Sequence, residues 1–287
     1  MPISAHSASC HDDDYALSHD GGDAEAIELD SPEQIPELLA HAQQRILAAR
    51  WHGRRVWIKG AASPHANAGY HLLSLFARLL STPALSPVPA PGGESGIALE
   101  HSRLLALQRA GIRVPRVLAR GSDWLCLSDL GQTALLTAIQ RAPDASTRLN
   151  WWQQGLRKIV GAHARGVCLS QCFARNMIIG ETTGDIGFVD FEDDPTSVMS
   201  LTHAQVRDWA LYLFSTVFWL PDNTPGELRQ RFAAALADEA PGVQHETIEL
   251  LRRMRWLARL PRHPRWGRDV RLAQAAGDFA RMMAGRG

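Results

Sequence analysis

The chain has 287 residues and is 45% hydrophobic, which is enough to bury a full core in one large domain or in two lobes. Its 30 Lys and Arg residues balance its 30 Asp and Glu residues, so the net charge gives no reason to expect nucleic acid or an acidic partner. The N-terminus is polar, and the longest apolar stretch, 209–220, is too short to cross a bilayer, which predicts a cytoplasmic protein.

Lysine is almost absent from the chain, because only Lys59 and Lys158 among the 30 basic residues are lysines. This bias is typical of a genome that uses arginine wherever it will serve. A lysine that remains therefore indicates a position that needs a compact ammonium group. The 4 cysteines have neither zinc-ligand spacing nor a histidine pair, so we expect free thiols. They are Cys10, Cys126, Cys168 and Cys172.

The N-terminal part begins with a polar segment, 1–25, which we expect to be a disordered tail. A short helix is predicted at 31–44, with Ser31 as its N-cap. Two β-rich runs then flank His52–Gly53 and predict a hairpin whose second strand ends at Lys59.

The next elements alternate between helix and strand. A helical apolar pattern covers 66–81, and a Pro- and Gly-rich segment at 83–96 is expected to be irregular. A helix is predicted to begin near Ile97 and to stop at Gly111. Two short strands with a tight turn between them are predicted within the segment 114–131.

The remainder is mainly helical, interrupted by a hairpin between 167 and 191. Asn176 stands just before the first strand of this hairpin and Asp190 stands at the end of the second. The order of elements predicts an α+β fold with a cleft, built from an N-lobe at 26–130 and a C-lobe at 131–287. The predicted helices cover 147–165, 202–220, 225–239, 244–260 and 270–284.

Lys59 and Glu100 are the first candidate functional residues. The strand V-W-I-K is expected to carry Lys59 inward beside Val56 and Ile58, and the helix from Ile97 presents Glu100 on its first turn. A lysine paired with a helix glutamate is how a kinase holds the α- and β-phosphates of its nucleotide. The tetrapeptide alone is not specific, and an ordinary surface lysine is the alternative.

Five motifs occur in the order found in a known family. They are VWIK at 56–59, the E-x-x-x-L-x-x-L-x-x-x-G-I-x-V-P run from Glu100, WLCLSDLG at 124–131, HARGVCLSQCFARNMII at 163–179 and GFVDFEDDP at 187–195. Over 50–220 the chain resembles the bacterial lipopolysaccharide core kinases (the Kdo and heptose kinase group), in particular toluene-tolerance or serine/threonine-kinase-like proteins. The resemblance implies a protein-kinase-like fold with a small β-rich N-lobe, a helical C-lobe, and binding of ATP and Mg²⁺.

The resemblance also implies a role for each matching residue. Lys59 would hold the phosphates and Glu100 would position that lysine. Asn176 and Asp190 would bind Mg²⁺, a hard cation that prefers oxygen ligands, and Asp190 would thereby take part in catalysis.

Three further residues match supporting positions of the family. His163 lies where the H-x-x-G sequence precedes the catalytic loop, which implies a structural role. Arg207 and Asp208 would brace that loop from the following helix.

The sequence departs from the family at the catalytic base. Counted back from Asn176, the position of the catalytic aspartate holds Gln171. A glutamine amide can hydrogen-bond a substrate hydroxyl but cannot accept its proton near neutral pH, so we expect phosphoryl transfer to be slow. Glu192, Asp193 or Asp194 are candidates to replace the missing carboxylate; the alternative is that they are solvated acids or lie near the magnesium.

The second departure concerns the loop that covers the phosphates. No G-x-G-x-x-G sequence precedes Lys59, and the predicted helix at 31–44 stands near its place. The nucleotide is therefore expected to be held less tightly, or by a different cover.

These residues leave three functions open. The first is a phosphotransferase that acts on a small-molecule or lipid-linked sugar hydroxyl of the cell envelope. The second is a pseudokinase that regulates or scaffolds through its conformation, which Gln171 favours. The third is adenylyl transfer by the same fold, for which the sequence offers no specific signal.

A basic stretch near the C-terminus is a candidate for contact with the inner membrane. Residues 252–271 contain eight arginines and one acid, Asp269, together with Trp256 and Trp266. Such a stretch fits anionic lipid or lipopolysaccharide phosphates, with the tryptophans at the interface. An ordinary basic helical face with core tryptophans is the alternative. Nucleic acid is not expected, because no aromatic stacking sheet accompanies the stretch.

Overall fold

The structure is a computed structural model of a mixed α/β chain, in which a five-stranded sheet precedes a mainly helical part. The α+β prediction is therefore confirmed. The predicted tail at 1–25, with Cys10, and the predicted helix at 66–81 lie outside the residues that the structure describes. Those residues are 27–42, 44–62, 82–221 and 224–285.

The five-stranded sheet has the order β1-β2-β3-β5-β4, in which β1 is parallel to β2 and the other neighbours are antiparallel. Strand β3 is central, and its Lys59 lies opposite Ile46 on one side and Leu125 on the other. Because both edges of β3 are hydrogen-bonded, the backbone that carries Lys59 is fixed. The strands are β1 (Ile27–Leu29), β2 (Ile46–Trp51), β3 (Arg54–Gly60), β4 (Val117–Arg120) and β5 (Trp124–Ser128).

The hairpin predicted around His52–Gly53 is confirmed by the antiparallel pairing of β2 and β3. Its two-residue turn has φ values of 51° at His52 and 70° at Gly53. Two positive φ angles are what a type I′ turn requires, and this turn matches the right-handed twist of the strands. Because the loop length fixes the register, the turn also places Trp51 opposite Arg54.

The two faces of β3 have different surroundings. Val56 and Ile58 are buried in a small apolar cluster with Ile35 of helix α1 (Ile35–His41). Trp57 and Lys59 alternate with them and face the other side of the sheet. The expectation that Lys59 points inward beside Val56 and Ile58 was wrong in this respect, because successive residues of a strand point to opposite faces.

The helix predicted at 31–44 is present but starts differently. A 3₁₀ turn, Pro32–Gln34, precedes α1, and the Ser31 side chain makes no capping hydrogen bond. The Ser31 carbonyl accepts a hydrogen bond from the backbone N–H of Gln34 instead, at 3.3 Å. The predicted N-cap role of Ser31 was therefore wrong, because Pro32 begins a tighter turn than an α-helix.

Helix α2 (Gly93–Arg109) begins earlier than Ile97, so the segment predicted to be irregular is shorter than expected. Gly92 and Gly93 have φ values of 64° and 54°, and the backbone N–H of Gly93 donates to the Ala62 carbonyl at 2.9 Å. Glycines that suggest a loop in the sequence here lead into the helix.

The end of α2 at Gly111 was predicted correctly. Gly111 has a φ of 75°, and its N–H donates to the Gln108 carbonyl at 2.9 Å. The N–H of Ile112 donates to the Leu107 carbonyl, also at 2.9 Å. These two bonds form a Schellman motif, which satisfies the last carbonyls of the helix.

The predicted second hairpin is confirmed and belongs to a three-stranded sheet. Strands β7 (Met177–Ile179) and β8 (Ile186–Phe188) pair antiparallel, and β6 (Thr133–Ala134) pairs with β7. Neither β6 nor the short helix α3 (Leu135–Arg141) was predicted from the sequence.

The later helices agree with the predicted positions and bury the main core. Their aromatic side chains pack edge to face, as in the contacts of Phe232 with Trp209 and Phe279. Within the described ranges, no helix combines the length and the apolar character that a membrane span needs. The helices are α4 (Ala145–His163), α5 (Leu201–Thr216), α6 (Pro225–Ala237), α7 (Pro241–Met254) and α8 (Arg268–Ala284).

Candidate functional site

A cavity lies between the five-stranded sheet and the β7–β8 hairpin, and its volume is about 760 Å³ including its open mouth. Ligand pockets are mostly apolar with a few convergent polar groups. One part of the wall carries Lys59, Glu100, Asn176 and Asp190. The apolar part of the wall is formed by Ile46, Trp57, Leu104, Leu127, Leu130, Ile178 and Val189.

Lys59 and Glu100 form the ion pair that the sequence predicted. The Nζ of Lys59 lies 2.9 Å from Oε1 of Glu100, and the two residues are only 6% and 2% exposed. The same ammonium lies 3.2 Å from Oδ1 of Asp190 and 2.7 Å from Oε1 of Glu192. Three carboxylates therefore converge on one buried lysine.

Arg45, which precedes β2, adds a second cation to this group. Its Nη1 lies 2.7 Å from Oε1 of Glu192, so one carboxylate oxygen bridges Arg45 and Lys59. We call Arg45, Lys59, Glu100, Asp190 and Glu192 the lysine cluster. It holds two cations and three carboxylates, so its formal charge is negative when all five groups are ionised.

Burial and neighbouring charges together shift the pKa values of Lys59, Glu100 and Glu192. Burial acts to lower the pKa of Lys59, but Glu100, Glu192 and Asp190 outweigh it, so the pKa is raised and the ammonium stays charged. Burial is the main reason that the pKa of Glu100 is raised, although Lys59 opposes the effect. Burial would raise the pKa of Glu192 too, but Lys59 and Arg45 lower it to about 2.

Asp190 and Asn176 approach the cavity from the two ends of the β7–β8 hairpin. Asp190 has a φ of 73°, which is uncommon for a residue other than glycine, and such strain clusters at functional sites. The Nδ2 of Asn176 donates to the Gln171 carbonyl at 3.0 Å, so this bond uses the amide nitrogen and not its oxygen.

The Asn176 and Asp190 pair fits a magnesium ion in ligand type. A carboxylate and an amide oxygen are hard ligands, and Mg²⁺ usually takes only one or two carboxylates from the protein besides water and substrate phosphates. In the part of the chain that the structure describes, no group of three or more His, Cys, Asp and Glu is arranged to hold a metal ion. These two residues would therefore form an incomplete shell that phosphate oxygens complete.

Gln171 contributes its backbone to the site. Its carbonyl accepts hydrogen bonds from Asn176 Nδ2, at 3.0 Å, and from the N–H of Phe173, at 2.7 Å. Its side chain is not part of the cavity wall. The structure thus brings Lys59, Glu100, Asn176 and Asp190 together, but it does not bring the Gln171 side chain to the wall with them.

The loop that carries Gln171 is held from helix α2. Arg103, one turn after Glu100, donates from Nη2 to the Cys168 carbonyl at 2.9 Å and to Ser170 Oγ at 2.7 Å. Ser170 is fully buried and has a φ of 64°. One helix therefore positions both Lys59, through Glu100, and the loop, through Arg103.

A second buried group of charges supports the same loop from the helical side. His163 Nδ1 lies 2.7 Å from Oε1 of Glu239, and its Nε2 lies 3.2 Å from Oδ2 of Asp208. The same Asp208 oxygen accepts a hydrogen bond from the N–H of Leu169 at 2.6 Å. We call His163, Asp208 and Glu239 the histidine cluster. Burial opposes protonation of His163, but its hydrogen bonds to the Asp208 and Glu239 carboxylates raise its pKa to about 9.

Arg207 and Asp208, which were both predicted to brace the loop, contact different parts of the structure. Asp208 is bonded to the loop through Leu169, as the prediction required. Arg207 donates from Nη1 to the Ser86 carbonyl at 3.2 Å, so its recorded bond is with the segment before α2 and not with the loop.

The three acids proposed as substitutes for the catalytic carboxylate have other partners. Glu192 is held by two cations, and a pKa of about 2 makes it a poor proton acceptor. Asp194 accepts from the N–H of Thr196 at 3.0 Å and caps a 3₁₀ turn. Asp193 is fully buried.

Sequence reasoning missed Arg45, Trp57, Arg103 and Asp129, and it misjudged Glu192. Trp57 Nε1 donates to Asp129 Oδ1 at 2.7 Å, which ties β3 to the segment after β5. The sequence contained a signal for two of these residues. Trp57 is two residues before Lys59 and thus shares its face of the strand, and Arg103 is three residues after Glu100 and thus shares its face of the helix.

No protein-family model matches the sequence, and no curated protein is a significant match. A functional conclusion therefore depends on the geometry of the cavity.

Proposed function

We propose that the protein is an ATP-binding member of the protein-kinase-like fold class, similar to the lipopolysaccharide core kinases. The buried Lys59–Glu100 ion pair at 2.9 Å carries this proposal, because it joins a central strand to a helix at the wall of the cavity. In this proposal 26–130 forms the N-lobe and 131–287 forms the C-lobe.

The arrangement of strands around Lys59 supports the proposal. Strand β5 lies beside β3, and the chain leaves β5 through Ser128, Asp129 and Leu130, which all line the cavity. A segment that joins a sheet to a helical region along the edge of a cavity is the expected position of a kinase hinge.

The distribution of polar and apolar groups gives the direction of a bound nucleotide. Leu127, Leu130 and Ile178 offer an apolar slot for the base, and the polar wall at Lys59 would receive the phosphates. Asn176 and Asp190 would hold Mg²⁺, which would neutralise phosphate charge. The side chains of the protein would position the reacting groups and exclude water from them.

The reaction that we propose is phosphoryl transfer, and the resemblance to the lipopolysaccharide core kinases implies a hydroxyl of a small-molecule or lipid-linked sugar of the cell envelope as the acceptor. Gln171 cannot accept a proton, so the rate would depend on positioning and charge neutralisation alone. A pseudokinase is the second candidate function. It is favoured by the absence of the Gln171 side chain from the cavity wall and by the low pKa of Glu192, about 2, which removes that residue as a base.

The proposed peripheral contact with the inner membrane has one feature in its favour and two against. Trp266 is 50% exposed beside the exposed arginines of the stretch 252–271. Trp256, in contrast, packs against the main core. Arg262 is also paired with Asp278, at 2.7 Å, which lowers the positive charge available to anionic lipid. We therefore propose a cytoplasmic protein with at most a weak contact with the membrane.

A thermal-shift assay with ATP and Mg²⁺ tests nucleotide binding. The wild-type chain should melt at a higher temperature with saturating ATP·Mg²⁺, since a ligand that binds only the folded state stabilises it. Lys59→Met should abolish the shift. Lys158→Met is the matched control, because the only other lysine of the chain pairs with Asp185 away from the cavity. A wild-type melting temperature that ATP leaves unchanged would contradict the proposal.

Turnover of ATP distinguishes the candidate activities. Phosphate release should be slow in the wild type and should rise by roughly 10²–10⁴-fold in Gln171→Asp if position 171 contacts the attacking oxygen. Gln140→Asp, in α3 outside the cavity wall, is the control. Mass spectrometry of the products separates a transferred phosphate from an adenylate. ATP binding without turnover in both wild type and variant would support the pseudokinase.

A further inference from the structure

Glu192 occupies a bridging position that is unusual for an acid beside a proposed anion site, because it contacts two cations of the cavity wall. A single oxygen, Oε1, lies 2.7 Å from Lys59 Nζ and 2.7 Å from Arg45 Nη1. The Lys59, Arg45 and Glu192 side chains are 7%, 28% and 17% exposed. Two cations from adjacent strands thus converge on one anionic oxygen that is largely shielded from water.

The same position would suit an oxygen of a phosphate group. Phosphate and carboxylate oxygens accept charge-assisted hydrogen bonds of the same length, and a guanidinium and an ammonium both donate to either. The backbone of Arg45 is firmly placed, since its carbonyl accepts a hydrogen bond from the N–H of Gly60 at 2.7 Å. Arg45 therefore stands across the hairpin from the end of the lysine strand.

The position of Arg45 is relevant because the sequence lacks the glycine-rich loop that covers the phosphates in kinases. In that loop, backbone N–H groups donate to the phosphates. This chain has no such sequence before Lys59, but it presents a guanidinium from the edge of β2 at the cavity wall. A second cation can supply the donors that the loop would otherwise provide.

We propose that Arg45 and Lys59 together bind the nucleotide phosphates, and that Glu192 occupies this two-cation site until a phosphate displaces it. The inference rests on the proposed nucleotide binding and adds to it a binding residue and a built-in competitor. Glu192 then weakens phosphate binding, because its contacts with Arg45 and Lys59 must break first.

The chain around Glu192 allows this displacement. Phe191 is fully buried and anchors the backbone, whereas Glu192 reaches the cations through a side chain with three rotatable bonds. Rotation of that side chain would release both cations while Glu100 still holds Lys59 at 2.9 Å. As the phosphate takes its place, the two cations keep only Glu100 and Asp190 as carboxylate neighbours, so the excess negative charge of the lysine cluster is removed.

Binding titrations with three probes test the inference. The probes are ATP·Mg²⁺, inorganic tripolyphosphate and adenosine, and the chains are the wild type, Arg45→Gln, Glu192→Gln and Arg50→Gln. Arg50 is an exposed arginine on β2, the strand that Arg45 precedes, and it serves as the matched control. Loss of one charged hydrogen-bond donor should weaken ATP and tripolyphosphate binding about tenfold in Arg45→Gln. Adenosine affinity should not change.

Glu192→Gln should have the opposite effect on the same probes. Removal of the competing charge should tighten ATP and tripolyphosphate binding by about tenfold, again without an effect on adenosine. Glu192→Asp, which shortens the side chain by one methylene, should give a smaller gain and serves if Glu192→Gln fails to fold. Arg50→Gln should bind all three probes as the wild type does.

The outcomes separate this inference from the function on which it rests. If ATP binds in a Lys59-dependent way but Arg45→Gln and Glu192→Gln keep wild-type affinity, the two-cation site is wrong and the proposed function stands. If tripolyphosphate binds with the expected dependence but ATP and adenosine do not bind, the site stands and nucleotide binding fails. Weaker ATP binding in Glu192→Gln would show that Glu192 assists the nucleotide, and would overturn the inference.

Discussion

The lysine cluster and the histidine cluster are both buried groups of one or two cations with several carboxylates, but only one of them is closed. The His163, Asp208 and Glu239 side chains are 1%, 0% and 2% exposed, and two of the carboxylate oxygens take further bonds from Leu169 N–H and Trp209 Nε1. In the lysine cluster, Asp190 remains 24% exposed and faces the cavity.

The difference indicates different uses of buried charge. A closed cluster that is shielded from water contributes to a fixed structure, and the loss of one member leaves uncompensated charge. An open cluster with excess negative charge, next to a cavity, can exchange its internal partners for those of a ligand. Removal of single members of each cluster tests this difference between closed and open groups of charge.

Removal of the histidine should have the largest effect on stability. His163→Leu leaves the Asp208 and Glu239 carboxylates buried without their cation, and breaking a buried pair in this way costs about 3–5 kcal/mol. Urea unfolding followed by circular dichroism measures the loss. His245→Leu, an exposed histidine on α7, is the control and should stay near the wild type. A loss in His163→Leu as small as that of the control would mean that the cluster is not charged.

The pH dependence of stability should show the same cluster without a mutation. The folded chain raises the pKa of His163 from 6.5 to about 9, so the stabilisation is complete below pH 6.5 and is lost as the pH rises through 9. The expected loss is on the order of 3 kcal/mol. Burial raises the pKa of Cys126 to about 11 and that of Cys168 to about 12, so both thiols ionise more readily in the unfolded chain and add a loss of stability of their own near pH 9.

Urea unfolding at pH 6, 7.5 and 9 provides the measurement, with His163→Gln as the reference. The variant should decline less than the wild type between these pH values, because both chains share the contribution of the thiols and only the wild type has that of His163. Parallel pH profiles for wild type and variant would contradict the assigned role of His163.

Removal of the lysine should affect stability less than removal of the histidine. Lys59→Met leaves Glu100 buried without its cation, but burial already raises the pKa of Glu100, so this carboxylate can take up a proton. Asp190 is 24% exposed to water, and Arg45 still holds Glu192. We expect a loss of about 1–2 kcal/mol, below the cost of opening a closed ion pair. The same urea titration measures it, with Lys158→Met beside it. A loss equal to that of His163→Leu would remove the distinction between the open and closed clusters.

An exposed ion pair should contribute least. The Arg262 and Asp278 side chains are 75% and 39% exposed, and water screens their attraction. Arg262→Ala should change the free energy of unfolding by at most about 0.5 kcal/mol, and less in 0.5 M salt. A larger effect would indicate that this part of the stretch 252–271 has a structural role.

Local sequence was sufficient to predict much of the fold. The hairpin at His52–Gly53 follows from turn residues between β-rich runs, and the end of α2 follows from Gly111. The start of α2 was missed because Gly92 and Gly93 suggest a loop when their φ angles are unknown. Helix α3 is only 7 residues long, and so short a segment carries little periodicity.

The candidate site was predictable only in part, because its residues come together through tertiary structure. Lys59, Glu100, Asn176 and Asp190 were found from motif order, and the structure brings them to one cavity. The contact of Glu192 with Arg45 joins residues 147 positions apart. No local pattern determines such a contact, since it depends on how the β7–β8 hairpin packs against the sheet.

The left-handed backbone of Asp190 limits which residues evolution can place there. At a φ of 73°, glycine and asparagine are tolerated, whereas alanine or a β-branched residue would be strained. A descendant that lost the carboxylate would therefore be expected to carry Asn or Gly at this position.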